Sequence, residues 1–402
     1  MCPICRFVFP SPFCRCLQIY ILAGHQNTKT PNTFCRYMKI YIIAGEASGD
    51  LHGSNLIKAL KKQQTTVQCR IWGGDLMQAA GGHLVKHYRD LAFMGFVEVL
   101  KNLRTILNNL NFCKRDILAY KPDVLVLIDY PGFNLRIAKW AKRQGIKVVY
   151  YISPQIWAWH RSRVYDIKRD VDKMLVILPF ETDFYRQYGV DAVFVGHPLL
   201  DALTPAALQS LSSEVPVSSL PLIALLPGSR KQEVQRMLPI MLSVSPFFPD
   251  YQFVVAGANA LPESYYRSFM TNYPKVSLIQ GNTYGVLQKA SAALVKSGTS
   301  TLETALLDVP QVVCYAGNPL SFAIAKRLVK VKFIALVNLI ADRLLVKELI
   351  QQDLNTDNLK AALSELLDPT HATTIRQGYL ELKHKLGEGG ASDRAAAVIL
   401  QE

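Results

Sequence analysis

Three turns in this 402-residue chain carry residue types that could do chemistry together. The first holds Asp129, which closes the apolar run DVLVLI at 123–128 and precedes Tyr130-Pro131-Gly132. Ligands of open parallel sheets bind at the carboxyl ends of the strands. A carboxylate there, on a turn stiffened by proline, can accept a proton as a general base. The competing reading is an N-cap for the helix after Gly132. Asp123, at the opposite end of the run, reads as structural. The second turn is Pro227-Gly228-Ser229-Arg230, between the run LIALL and a helical pattern. Glycine allows close backbone approach, the helix start offers N–H groups and Arg230 offers a charged fork. That set suits a diphosphate, although the same residues would also make an ordinary strand–helix turn. The third turn is SGTSTLE at 297–303. Ser297, Gly298 and Thr299 can meet phosphate oxygens, and Glu303 can accept from both hydroxyls of a ribose. Ser300 and Glu303 also have the spacing of a capping box, and the two readings are compatible.

A fourth turn lies in IYIIAGEASGDLHG at 40–53. Gly45, Gly49 and Gly53 are spaced four apart, so this is neither a G-x-G-x-x-G dinucleotide fingerprint nor a P-loop. Glu46 and Asp50 would repel phosphate. The turn therefore reads as a wall against sugar hydroxyls, with the nucleotide held opposite.

Two further stretches look outward. YISPQIWAWHRSR at 151–163 interleaves Trp157, Trp159, His160, Arg161 and Arg163, as an exposed loop facing a ligand or an interface would. Single-stranded nucleic acid could stack on such a loop, but no basic stripe accompanies it. SFAIAKRLVKVK at 321–332 sets Phe322 beside Lys326, Arg327, Lys330 and Lys332. It reads either as a core-facing helix with a solvated face or as an amphipathic basic helix on an anionic bilayer. At about 1 kcal/mol per basic residue, four would give a reversible association of roughly 4 kcal/mol. Asp170-Val171-Asp172 has the form of a metal-binding D-x-D, but it sits among Lys168, Arg169 and Lys173 and reads as a charged connector. Cys2-x-x-Cys5 and Cys14-x-Cys16 could be read as metal ligands, but no second C-x-x-C or nearby His pair completes a site. No cluster elsewhere has metal-ligand spacing, and no G-x-S-x-G nucleophile elbow occurs. No metal or cofactor is expected.

The elements that must position these turns alternate between strand and helix. Buried-strand runs recur at 40–44, 67–72, 123–128, 146–152, 173–178 and 193–195. They recur again at 222–226, 252–256, 276–279, 292–295 and 311–314, with helical patterns between. This predicts an α/β fold of two Rossmann-like halves with parallel sheets, facing each other across a cleft. The expected divisions are 38–205, 222–370 and a helical tail at 371–402, with a Ser/Pro/Ala-rich linker near 201–220. Residues 1–37 hold five of the eight cysteines, four basic residues and no acidic one. They read as an extension outside the fold, upstream sequence translated in error, with a natural start at Met38. Cys69, Cys113 and Cys314 stand singly, as in a reducing cytosol. The net charge of +14, still +10 without the extension, favours anionic partners. No apolar run reaches the length of a membrane-spanning helix.

Residues 38–402 resemble the lipid-A-disaccharide synthases, inverting glycosyltransferases of bacteria. The resemblance rests on AGEASGD at 44–50, MGFVEVL at 94–100, KPDVLVLIDYPGFN at 121–134, YISPQIWAWHRSRV at 151–164 and LPFE at 178–181. It continues with FVGHPLLD at 194–201, LLPGSR at 225–230, SGTSTLE at 297–303 and AKRLVK at 325–330. It implies a GT-B fold and transfer of a sugar from UDP-2,3-diacylglucosamine to 2,3-diacylglucosamine 1-phosphate (lipid X), without a metal. Other GT-B enzymes acting on UDP-N-acetylglucosamine share the SGTSTLE-like site but not the MGFVEVL and WAWHRSR pair. The resemblance makes Asp129 the base and puts Arg230, Gly228 and Ser229 at the diphosphate. Glu303 falls to the ribose, Ser48, Gly49 and Asp50 to the acceptor side, and Asn338 near the site. It assigns Met94, Phe96, Trp157, Trp159, Arg161, Phe322, Lys326, Arg327 and Lys330 to acyl chains or the membrane. The enzyme would be peripheral on the cytoplasmic face of the inner membrane, against anionic phospholipid. It would have no nucleic-acid partner, and there is room for a homodimer. Two positions depart from the family's pattern: Val337 replaces a proline, and Ala341-Asp342 stand where a glycine is expected.

Overall fold

The computed structural model describes residues 37–91, 103–159, 161–203, 219–317 and 332–402, together with 208, 209, 211 and 215. The chain divides after Tyr37, and Met38–Glu402 form one compact unit. Two parallel sheets organise that unit. The first contains β1 (Met38–Ala44), β2 (Val67–Gly73), β3 (His83–His87), β4 (Val124–Ile128), β5 (Lys147–Tyr151), β6 (Lys173–Val176) and β7 (Ala192–Phe194), in the order β3-β2-β1-β4-β5-β6-β7. The second contains β8 (Leu222–Leu226), β9 (Gln252–Gly257), β10 (Ser277–Gln280), β11 (Ala290–Lys296), β12 (Gln311–Tyr315) and β13 (Glu348–Ile350), in the order β10-β9-β8-β11-β12-β13.

The central strands β4 and β8 are buried along their whole length. Helices cover both faces, so these strands are continuous apolar runs rather than alternating ones. In each sheet the order reverses beside the first strand, between β1 and β4 and between β8 and β11. Such a switch point leaves a crevice at the carboxyl ends of the strands, because the flanking connections leave in opposite directions. The turns after β1, β4, β8 and β11 are those that carry Glu46, Asp129, Arg230 and Ser297–Thr299.

A short strand precedes the helical tail. β13 pairs in parallel with β12 at the edge of the second sheet. The helix Pro369–Leu386 packs on that half, where the Gln311 amide donates to the Tyr379 hydroxyl at 3.1 Å and Lys383 pairs with Asp308 at 2.6 Å. Gly387 and Gly390, with φ of 77° and 89°, then turn the chain. The last helix, Ala391–Ile399, returns to the first half, against the helix Ala47–Gln63. Lys62 pairs with Asp393 at 3.1 Å, and the Arg394 guanidinium donates to the Val195 carbonyl at 2.8 Å. Asp201 accepts from the backbone N–H groups of Gly390, Ala391 and Ser392 at 2.6, 3.2 and 2.8 Å.

Asp201 thus satisfies the orphan donors of a helix start from a distant part of the chain. Asp201→Ala is expected to lower stability by about 1–3 kcal/mol, read as a lower urea midpoint. Protection of amides 393–399 from hydrogen exchange should fall with it. Among the described residues, no helix is long and apolar enough to cross a membrane.

Candidate active site

One cavity of about 750 Å³ runs along the carboxyl edges of both sheets. From the first half it is lined by Ser48, Gly49, Asp129, Ser153 and Arg163. From the second it is lined by Arg230, Lys296, Ser297, Gly298 and Thr299. The carboxylate and the phosphate-type turns read from the sequence therefore meet in one space.

Asp129 and Tyr130 both adopt left-handed backbone, with φ of 43° and 48°. Two successive non-glycine residues in this region are unfavourable unless the surroundings enforce them. The enforcement is visible. The Tyr150 hydroxyl donates to the Asp129 carbonyl at 2.5 Å, and the Asn134 side-chain amide donates to the same oxygen at 2.8 Å. Pro131 begins the helix Pro131–Arg143 directly after the turn. The Tyr130 ring lies where a side chain on Gly45 would be, 2.3 Å from an ideal Cβ there, so only glycine is accommodated. Asp129 is half-buried. Burial, and then the nearby Glu46 charge, push its carboxyl up to about 7, against a hydrogen bond from the Tyr130 backbone that lowers it. This pKa suits a general base near neutral pH.

The opposite wall is cationic. Arg230 lies 3.7 Å from Glu46 and 3.9 Å from Glu233, and Lys296 lies 2.8 Å from Glu233. Burial would raise the Glu233 carboxyl, but the Lys296 hydrogen bond and charge outweigh it and hold the group low. Glu233 also accepts from the backbone N–H groups of Ser229 and Arg230 at 3.2 and 3.3 Å. Gly228 has φ of 105°, and an added Cβ would stand 2.5 Å from a Glu233 oxygen. The turn PGSR is therefore wound around Glu233, leaving Arg230 half exposed. Ser297 donates to the Ile334 carbonyl at 3.1 Å, and Gly298 and Thr299 begin the helix Thr299–Leu306.

Several expected site residues have structural roles instead. Asp50 is 3% exposed and accepts from the N–H groups of Gly74, Leu76 and Met77 at 2.7, 3.1 and 3.0 Å. It caps the short helix Asp75–Ala79 and is not among the residues that line the cavity described above. Asn338 is wholly buried. Its amide donates to the Val346 carbonyl and a Glu348 oxygen, each at 2.8 Å, and its oxygen accepts from Leu345 and Val346 at 2.9 Å. All four of its hydrogen-bonding valences are used to hold the chain entering β13. Trp157 is 6% exposed, stacks edge-on to Phe180 and donates to Glu181 at 3.2 Å. Its neighbourhood is a short helix, Ile156–Trp159, and Trp157 belongs to the core rather than to an outer surface.

Arg161 is exposed and donates to the Trp157 carbonyl at 3.3 Å. Glu303 stands outside the cavity lining and accepts from the Tyr284 hydroxyl at 3.0 Å. Val337 is core, and Asp342 takes the left-handed position, φ 55°, where a glycine was expected. Asp172 accepts from Val148 N–H and pairs with Lys142, while Asp170 pairs with Arg169. Met94, Phe96, Phe322, Lys326, Arg327, Lys330 and the side chain of Trp159 lie outside the described residues.

The cavity also holds groups that the sequence reading passed over: His52, Glu181, His197 and Lys296. Burial pushes the Glu181 carboxyl up to about 7 despite the hydrogen bonds it accepts from Leu178, Trp157 and Ile177. Each of Glu181, His197 and Lys296 lies at or just beyond the end of a strand, which is the one signal that could have found them.

Solved structures place the architecture. UDP-GlcNAc 2-epimerase from Neisseria meningitidis, bound to UDP-GlcNAc, matches with a TM-score of 0.63 at 15% identity, over 91% of this chain and 100% of that one. The glycotransferase of kitacinnamycin matches with 0.61 at 18%, over 91% and 99%. With the two facing parallel sheets, these likenesses define a GT-B fold. At the sequence level, the family model described as lipid-A-disaccharide synthetase matches residues 40–401. Lipid-A-disaccharide synthase of Syntrophus aciditrophicus is 42% identical over 88% of this chain and 95% of its own length. That of Geobacter metallireducens is 40% identical over 89% and 95%. Lipid-A-disaccharide synthase 1 of Legionella pneumophila is 37% identical over 89% and 95%. The chain belongs to the lipid-A-disaccharide synthetase family and is a glycosyltransferase.

Proposed function

We propose that this enzyme joins UDP-2,3-diacylglucosamine to 2,3-diacylglucosamine 1-phosphate, forming a β(1→6) disaccharide 1-phosphate and UDP. The observation that carries the mechanism is the composition of the cavity, with a carboxyl of raised pKa on one wall and Arg230 with Lys296 on the other. Asp129 takes the proton of the acceptor 6-hydroxyl as that oxygen forms its bond to the donor anomeric carbon. The bond from that carbon to the diphosphate oxygen breaks, and its electron pair leaves with UDP. A single in-line displacement inverts the anomeric centre. Negative charge grows on the departing diphosphate, where Arg230, Lys296 and the helix start at Gly298–Thr299 stabilise it. No step requires a metal.

Anionic phospholipid at the cytoplasmic face of the bacterial inner membrane, and a second copy of the chain, belong to the same proposal as partners. Support for the membrane comes from the basic amphipathic pattern at 321–332, a segment outside the described residues except for Lys332.

The test is substrate discrimination. UDP release is expected with acylated donor and acceptor and not with UDP-N-acetylglucosamine. Turnover of the unacylated sugar nucleotide, by transfer or by epimerisation, would overturn the reading.

A further inference from the structure

The cavity contains two histidines that the proposed displacement does not use. His52 lies on the helix Ala47–Gln63, and His197 follows β7 in the turn Gly196-His197-Pro198. Both line the cavity, yet they are only 7% and 2% exposed. Their surroundings assign the ring protons. The Leu199 N–H donates to His197 Nδ1 at 3.2 Å, so in the neutral ring the proton sits on Nε2. His52 Nδ1 is buried without a partner. A dry acceptor is tolerated better than a dry donor, so His52 also carries its proton on Nε2.

Neither ring is charged at neutral pH. Burial pushes His52 down to about 4, opposed only by the Asp201 charge. Burial, and then His52 itself, push His197 down to about 3. Asp201 is already committed to the three N–H groups at the start of the last helix. Among the described residues, no acceptor partners either Nε2–H group.

We propose that His52 and His197 form a paired, uncharged N–H donor site for the carbonyl oxygen of the ester-linked acyl group on the sugar held against the first sheet. Two donors without a charge favour an oxygen that offers lone pairs only. A phosphate would need cations, which Arg230 and Lys296 supply elsewhere in the cavity. A hydroxyl would bring a proton needing an acceptor. Glu181, the carboxylate on this side, already accepts from the N–H groups of Ile177 and Leu178 and from Trp157. Ile152, Ile177 and Leu178 also line the cavity and would provide apolar surface for the chain beyond the carbonyl. The site would make acylation a requirement for productive binding. The inference rests on the acylated substrates proposed above.

The experiment compares ester-linked substrates with analogues whose ester carbonyl is replaced by methylene, giving an ether. The replacement is made in the donor and in the acceptor separately. The parent enzyme is expected to prefer the ester over the ether in one of the two, by about 5- to 50-fold in kcat/KM. The preference should collapse toward unity in His197→Leu and His52→Leu and return in part in His197→Gln, whose amide nitrogen can replace Nε2–H. Affinity for UDP, measured by calorimetry, reports whether each variant keeps an intact nucleotide side. A parent enzyme indifferent to the ether in both substrates overturns the proposal, as does a preference that survives both leucine variants. A parent enzyme that turns over no acylated substrate fails the functional reading itself, which separates the two outcomes.

Discussion

Asp129→Ala is expected to lower kcat by roughly 10²–10⁴-fold, with UDP affinity close to that of the parent. The loss falls on turnover because Asp129 acts on the acceptor proton, while the cations of the opposite wall hold the nucleotide. The pH profile carries a sharper signature. The base must be deprotonated to work, so kcat/KM of the parent enzyme rises with pH through about 7. Glu46→Gln removes a like charge that helps retain this proton, so the rising limb moves to lower pH. Glu181 is also pushed to about 7, but by burial and without a contribution from Glu46. A limb that shifts in Glu46→Gln therefore belongs to Asp129, and one that stays belongs to Glu181.

The same carboxyl affects folding. Asp129 ordinarily loses its proton near 3.8 and in the folded enzyme near 7. Between these values the folded state binds more protons, so this group makes stability fall as pH rises. Asp129→Asn should flatten that fall and raise the denaturation midpoint at pH 8, at the expense of activity.

Arg230→Ala is expected to reduce kcat with the natural donor by roughly 10²–10³-fold, the loss typical of a donor aimed at developing charge. Steady-state UDP release checks it. Arg230→Lys should recover little, because a single ammonium does not reproduce a planar fork of donors. The ion pairs show what a diphosphate would compete with at this side chain. Arg230 lies between Glu46 on the first half and Glu233 on its own helix, so its fork has a carboxylate on either side. A diphosphate competes with Glu46 for that fork, and Lys296 keeps Glu233 occupied meanwhile. If Arg230→Ala changed only KM, Arg230 would be binding the ground state and transition state equally, and its catalytic role would fail.

The main strands of both sheets were legible in the sequence because strands buried on both faces are apolar without interruption. The run at 123–128 and the run LIALL each end in a turn that carries a charged group, and those turns proved to face one cavity. Two edge strands were not legible. β3, HLVKH, has a polar edge composition, and β13 has three residues, too few for any period to show. The site was half legible. Asp129 and Arg230 stand out because charge at a strand end is unusual. Asp50 and Asn338 are polar side chains on segments that follow strands, but local sequence does not reveal that their oxygens accept from backbone N–H groups elsewhere, at Gly74 for Asp50 and at Leu345 and Val346 for Asn338. Trp157 misled for a related reason, since an indole needs a buried acceptor and Glu181 supplies it from 24 residues away. His52 and His197 were invisible because they lie 145 residues apart, and only the tertiary fold brings both to the lining of one cavity.

The most direct test of the central claim is mass spectrometry of the product formed from synthetic UDP-2,3-diacylglucosamine and 2,3-diacylglucosamine 1-phosphate. The parent enzyme is expected to give a tetra-acylated β(1→6) disaccharide 1-phosphate with one equivalent of UDP, and Asp129→Ala to give almost none. Disaccharide formation by Asp129→Ala at the parent rate would contradict the account. So would release of UDP from the parent without a disaccharide.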